Sequence, residues 1–177
     1  MQNSTNNPGI SFQSHRKDNK KQGIKHLKAL YLAENKRKYP SIPDYARSFP
    51  DYSDKTANGL TKCIIDFIKL SGYQAERINC MGRIIDNRET VSDVMGNIRT
   101  IGRVQYGKTT GQRGTADISA TIKGRSVKIE VKIGRDRQSQ AQKDYQKLVE
   151  NSGGVYFIAT DFEQFYNWFI LTFGSHE

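Results

Sequence analysis

Three side chains in the middle of the sequence could do chemistry together: Asp117, Glu130 and Lys132. From Val127 to Ile133 apolar and charged residues alternate, and because successive side chains of a strand point to opposite faces, Glu130 and Lys132 share one. Asp117 opens a second strand-like run, Ile118 to Ile122, and the short turn Lys123-Gly124-Arg125-Ser126 lets the two runs pair as an antiparallel hairpin. Such pairing brings Asp117 beside Glu130. Two carboxylates supply hard oxygen ligands for Mg²⁺, and an ammonium supports an attacking hydroxide, which is what metal-assisted phosphodiester cleavage needs.

The acidic-x-Lys spacing alone says little. Asp18-Asn-Lys20 and Glu34-Asn-Lys36 repeat it in polar text without strand alternation, and an amphipathic strand with a wetted charged face gives the same pattern. The setting of Glu130-Val131-Lys132 separates it from these, after Gly114-Thr-Ala-Asp117 and before a capped helix opened by Ser139. Arg135 and Arg137 follow on the loop to that helix, placed for phosphate unless they are merely solvated. Gln142 is ambiguous, since Ser139-x-x-Gln142 is itself a capping box.

Other chemistries fit less well. Gly102 to Thr109 matches the phosphate-cradling Gly-x-x-x-x-Gly-Lys-Thr pattern, but that loop works only between a strand and a helix N-terminus, and the text after Lys108 is glycine-broken and turns to strand. The histidines, His15, His26 and His176, lie in the terminal extensions, which argues against histidine-metal chemistry or a histidine-based triad. No Ser or Cys has a plausible base.

The elements that must position these groups can be read in order. Residues 1–22 are polar and read as disordered. Ile24, Leu27, Leu30 and Tyr31 predict a short amphipathic helix running to about Lys38, and Pro40 ends it. Prolines and aromatics from Tyr39 to Tyr52 predict an extended connector, so the chain divides into a basic extension, 1–52, and a catalytic-size domain, 53–177. Leu60, Cys63, Ile64, Phe67 and Ile68 form one helical stripe, with Thr56 as cap and Gly72 as the left-handed stop. Tyr73 to Ile78 predicts a strand, and residues 79–113 an irregular hairpin or arm. After the central hairpin come a helix from Ser139 to Asn151 with Ala141, Tyr145, Leu148 and Val149 on one side, a buried-type strand, Val155 to Ala159, and a last helix capped by Thr160-Asp-Phe-Glu163.

A chain of 177 residues can bury one ordinary core. Its net charge of +10 is uneven: residues 1–40 hold nine Lys/Arg against two Asp/Glu, or +7. A basic arm on a nearly neutral body fits a polyanionic partner, with a solubilising tail as the alternative. Cys63 and Cys80 form no Cys-x-x-Cys pair, and the start of the chain lacks a signal peptide's apolar run, so a cytoplasmic protein without a membrane span is expected.

In order, Gly114-Thr-Ala-Asp117, Val127-Lys-Ile-Glu130-Val-Lys132, Arg137-Gln-Ser139-x-x-Gln142-x-x-Tyr145 and Gly153-Gly154-Val-Tyr-Phe-Ile-Ala resemble the VRR-NUC branch of the PD-(D/E)xK nuclease superfamily, including stand-alone phage and bacterial members. Arg77-Ile-Asn79-Cys-Met-Gly82 also looks like that branch's text after its first strand. The resemblance covers about residues 56–170. It implies an α/β fold, a restriction-endonuclease-like αβββαβ core with a mixed sheet flanked by helices, and Mg²⁺- or Mn²⁺-dependent DNA cleavage, in some members at Holliday junctions. It also implies Asp117, Glu130 and the Val131 backbone carbonyl as metal ligands, Lys132 orienting or helping to deprotonate water, and Gln142 projecting toward the site. DNA contacts would come from Arg113, Arg135, Arg137, Lys17, Lys20 and Lys21, in a protein that could act as a homodimer. The family places a Glu on the first helix where this chain has Asn58, whose neutral oxygen weakens a second metal site. A nucleic-acid-binding protein of the same fold with weak catalysis is the alternative.

Overall fold

The computed structural model describes residues 22–78, 83–107 and 112–174. Expectations for residues 1–21, with Lys17, Lys20 and Lys21, and for Cys80 and His176, lie outside them. The elements are α1 (Gln22–Lys38), a 3-10 turn (Asp44–Ala46), α2 (Ala57–Leu70), β1 (Gln74–Arg77), β2 (Arg83–Asp86), β3 (Glu89–Ser92), β4 (Ile98–Ile101), β5 (Val104–Gly107), β6 (Ile118–Ile122), β7 (Arg125–Val131), α3 (Gln140–Asn151), β8 (Val155–Ala159) and α4 (Phe162–Phe173).

A mixed sheet in the order β1-β6-β7-β8 carries the site. β1 pairs β6 and β6 pairs β7 antiparallel, whereas β7 and β8 run parallel because α3 carries the chain back between them. The central hairpin is tighter than its sequence suggests. Ile122 pairs with Arg125, leaving Lys123 and Gly124 alone in the turn at φ 48° and 75°, the double left-handed geometry whose twist matches paired strands.

Alternation along β7 divides the two faces. Val127, Ile129 and Val131 enter the core under α2 and α4, while Lys128 and Glu130 turn to the opposite face, of which α3 covers only the β7–β8 half. The α2 stripe is buried as expected, Thr56 accepts the cap bond from Gly59 N–H at 3.1 Å, and Gly72 ends the helix at φ 86°. Phe67 is the hub, with the rings of His26, Phe162, Phe165, Tyr166 and Phe169 edge-on at 5.1 to 6.1 Å.

Packing does not divide the chain at residue 52. Helix α1 lies on α2 and α4 and places Leu27 fully inside the common core, where Tyr52 is also buried. Glu163, expected in a capping box for α4, is instead buried and accepts the Gly23 N–H at 2.9 Å, so its carboxylate meets the positive end of α1. The α4 cap comes from Asp161, which accepts from Gln164 N–H at 2.8 Å. β8 is an edge strand with only Ala159 buried, and Leu148 of α3 is 54% exposed. β8 has a strand neighbour on one side only, which leaves it partly exposed.

Residues 83–107 form a two-stranded ribbon. β2 pairs β5 and β3 pairs β4, and Gly102, at φ 91°, packs so close to Asn87 that a Cβ would stand 2.0 Å from its carbonyl oxygen. Gly102 to Gly107 thus belongs to strands and their connection; Lys108 and Thr109 lie outside the described residues, and among the described residues no helix follows before α3. Among the described residues no helix is long and apolar enough to cross a membrane.

Candidate active site

Asp117 stands where β6 begins. The register Ile118↔Ile129 sets it across from Glu130, and its Oδ2 accepts the Val131 N–H at 2.9 Å. Its carbonyl accepts from Ile78 N–H at 2.8 Å, tying the same residue to the end of β1. Gly114 fixes the loop that delivers it. At φ 79° its Cα lies against the first turn of α3, where a Cβ would come within 2.2 Å of the Ala141 carbonyl oxygen.

Glu130 is only 1% exposed, and protein donors hold its carboxylate. Lys132 Nζ lies 3.0 Å from Oε1, Gln142 Nε2 donates to the same oxygen, and the Tyr156 hydroxyl donates to Oε2 at 3.4 Å. Burial raises the Glu130 carboxyl above the usual range, with the Asp117 charge adding to it and Lys132 opposing. Burial also raises the Tyr156 hydroxyl, with the Glu130 charge adding.

Lys132 also reaches Asp136 at 3.2 Å. Burial alone would lower its ammonium, but the two carboxylates outweigh that and leave it raised. A lysine so held keeps its proton and offers its remaining N–H as a hydrogen-bond donor.

Gln142 fills both of its readings at once. Its Oε1 accepts the Ser139 N–H at 2.9 Å, completing the capping box, while its Nε2 reaches Glu130. The amide has an acceptor and donors at opposite sides of one plane, so one side chain closes the helix start and docks it on β7.

The other expected residues are not gathered with these. Arg113, Arg135 and Arg137 are exposed on the loops at either side, and Asn58 is exposed in the first turn of α2. Asp136, Tyr156 and Lys128 were missed from sequence. Tyr156 could have been found from the parallel register Lys128↔Tyr156, which requires knowing that β8 lies beside β7.

The donor set is of the kind a hard cation takes: Asp117 and Glu130 offer carboxylate oxygens, but among the described residues no third His, Cys, Asp or Glu gathers with them, so any further ligands would have to be backbone oxygens or water. Binding requires Glu130 to release part of its present hold by Lys132 or Gln142. Compared with known proteins, the chain matches no family model and no curated protein.

Proposed function

We propose that this chain is a metal-dependent DNA endonuclease with a restriction-endonuclease-like core, in the VRR-NUC branch of the PD-(D/E)xK superfamily that its motifs resemble. One observation carries the proposal: the carboxylates of Asp117 and Glu130, the Lys132 ammonium and the Gln142 amide converge from β6, β7 and α3 at one end of the sheet. The element order α2, β1, β6, β7, α3, β8, with the ribbon inserted after β1, agrees with the αβββαβ order of that fold.

Mg²⁺ or Mn²⁺ held by Asp117, Glu130 and the Val131 carbonyl would supply Lewis-acid charge at the scissile phosphate. Lys132 donates hydrogen bonds that orient water and offset charge building on the phosphate. Gln142 fixes the Glu130 carboxylate through the helix it caps. Arg113, Arg135 and Arg137 hold the DNA backbone, and the basic start of the chain adds salt-sensitive affinity. Branched DNA as substrate, a homodimer and a cytoplasmic location belong to the same proposal.

A nucleic-acid-binding protein with weak catalysis is favoured by one feature, the occupation of both Glu130 oxygens by protein donors. Incubation with linear, flapped and four-way DNA in Mg²⁺, Mn²⁺ or EDTA separates the two. The nuclease reading expects cuts with either metal and none with EDTA; binding without cuts in any metal supports the other.

A further inference from the structure

Lys128 stands two residues before Glu130 on β7 and faces the same way, with Ser119 across from it on β6 and Tyr156 beside it on β8. Its stem is half-buried between them, and its Nζ donates to Ser119 Oγ at 2.6 Å. Among the described residues no carboxylate lies within ion-pair reach of this ammonium, in contrast to Lys132 with Glu130 at 3.0 Å and Asp136 at 3.2 Å. An ammonium has three donors, and a neutral hydroxyl leaves two of them and the whole charge unanswered. A half-covered cation of this kind favours an anion over another neutral partner.

Beside Lys128 opens a groove of about 250 Å³ whose other wall is Tyr145, Leu148 and Val149 of α3. Toward β1 the same face is open, since Gln74, Glu76 and Thr121 are exposed. The site therefore offers one cation beside one apolar wall, with the exposed Glu76 carboxylate, across from Ser119, as the charge on the β1 side. Two residues along a strand span about 6.7 Å, close to the separation of neighbouring phosphates in a polynucleotide.

We infer that Lys128, steadied by Ser119, binds the backbone phosphate next to the one placed at Glu130, with the adjoining sugar and base against Tyr145 and Leu148. This rests on the nuclease reading above and adds a substrate requirement: the strand must continue past the cut on the β7 side. A lysine that merely packs its stem and bonds a serine would need no phosphate.

The test compares wild type, Lys128→Met, Lys128→Arg and Lys69→Met for binding to a labelled DNA duplex in EDTA, across a salt series, after thermal melting has matched their folds. Lys69 is exposed on α2, away from this face. Lys128→Met should weaken binding about tenfold and lower the slope of log affinity against log salt by about 0.9, the loss of one phosphate contact. Lys128→Arg should restore both, and Lys69→Met should change neither. A Lys128→Met slope and affinity equal to those of Lys69→Met overturn the inference, as does a wild type that binds no DNA. A wild type that binds DNA yet cuts none in Mg²⁺ or Mn²⁺ sinks the nuclease reading alone, and the binding comparison still decides Lys128.

Discussion

Gln142 and Glu130 are joined side chain to side chain across 12 residues of sequence, from Nε2 to Oε1, while the same glutamine closes the capping box at Ser139. The start of α3 and the carboxylate on β7 are thus one mechanical unit, and variants of the two cap residues separate its parts. Ser139→Ala removes only the cap acceptor and should cost about 1 kcal/mol of stability while leaving the Glu130 contact. Gln142→Ala keeps that acceptor but removes the reciprocal bond to the Ser139 N–H and the Glu130 contact, and should also depress cleavage by tenfold or more. Equal cleavage losses in the two variants, at matched stability, would mean that Gln142 acts only through the helix.

Gly114→Ala should be worse than a turn glycine ordinarily warrants. Its positive φ and the 2.2 Å approach of a Cβ to the Ala141 carbonyl force the Asp117 loop off α3. Chemical denaturation should show a loss of more than about 1 kcal/mol, and DNA cleavage should fall with it. Gly124→Ala also meets a positive φ, but nothing lies within 4 Å of its Cβ, so a smaller loss is expected there.

The raised Glu130 carboxyl gives a pH dependence with a definite sign. In the folded chain it still holds its proton at pH values where the unfolded chain, near the ordinary 4.5, has released it. Its stabilising contribution is therefore complete below 4.5 and is lost as pH rises through the higher folded value. Wild type should lose stability relative to Glu130→Gln over that window in denaturant titrations at a series of pH values. A constant difference between the two proteins would show an unperturbed carboxylate.

The ribbon of residues 83–107 adds no residue to the core cluster. Its Ile84, Ile98, Ile101 and Tyr106 are exposed. Replacing it with a short flexible linker should leave the melting temperature within a few degrees, because almost no apolar area is returned to water. A large drop would reveal packing by the ribbon onto the body.

Much of this was legible in the chain because periodicity reports burial directly. The α2 stripe, the β6–β7 hairpin and the Glu130–Lys132 face follow from spacing alone, and so does the meeting of Asp117 with Glu130. What could not be read depends on contacts between segments far apart. Glu163 looked like a local cap until α1 was seen to bring Gly23 to it over 140 residues. β8 looked buried from its apolar text, yet it is a sheet edge. The second acid on Lys132, Asp136, sits four residues on in a loop whose course no pattern specifies. Gln142 posed a choice between two roles that the fold makes simultaneous.

The central claim is that Asp117 and Glu130 hold the metal while basic residues hold the DNA. It is tested most directly by measuring cleavage and binding together for wild type, Asp117→Asn and Glu130→Gln across a Mg²⁺ and Mn²⁺ titration. The account predicts metal-dependent cutting by wild type, none by either variant at any metal concentration, and DNA affinities in EDTA within about twofold of one another, since phosphate contacts carry that affinity. Variants that are folded and still cut, or that lose binding and cutting in equal measure, would contradict it.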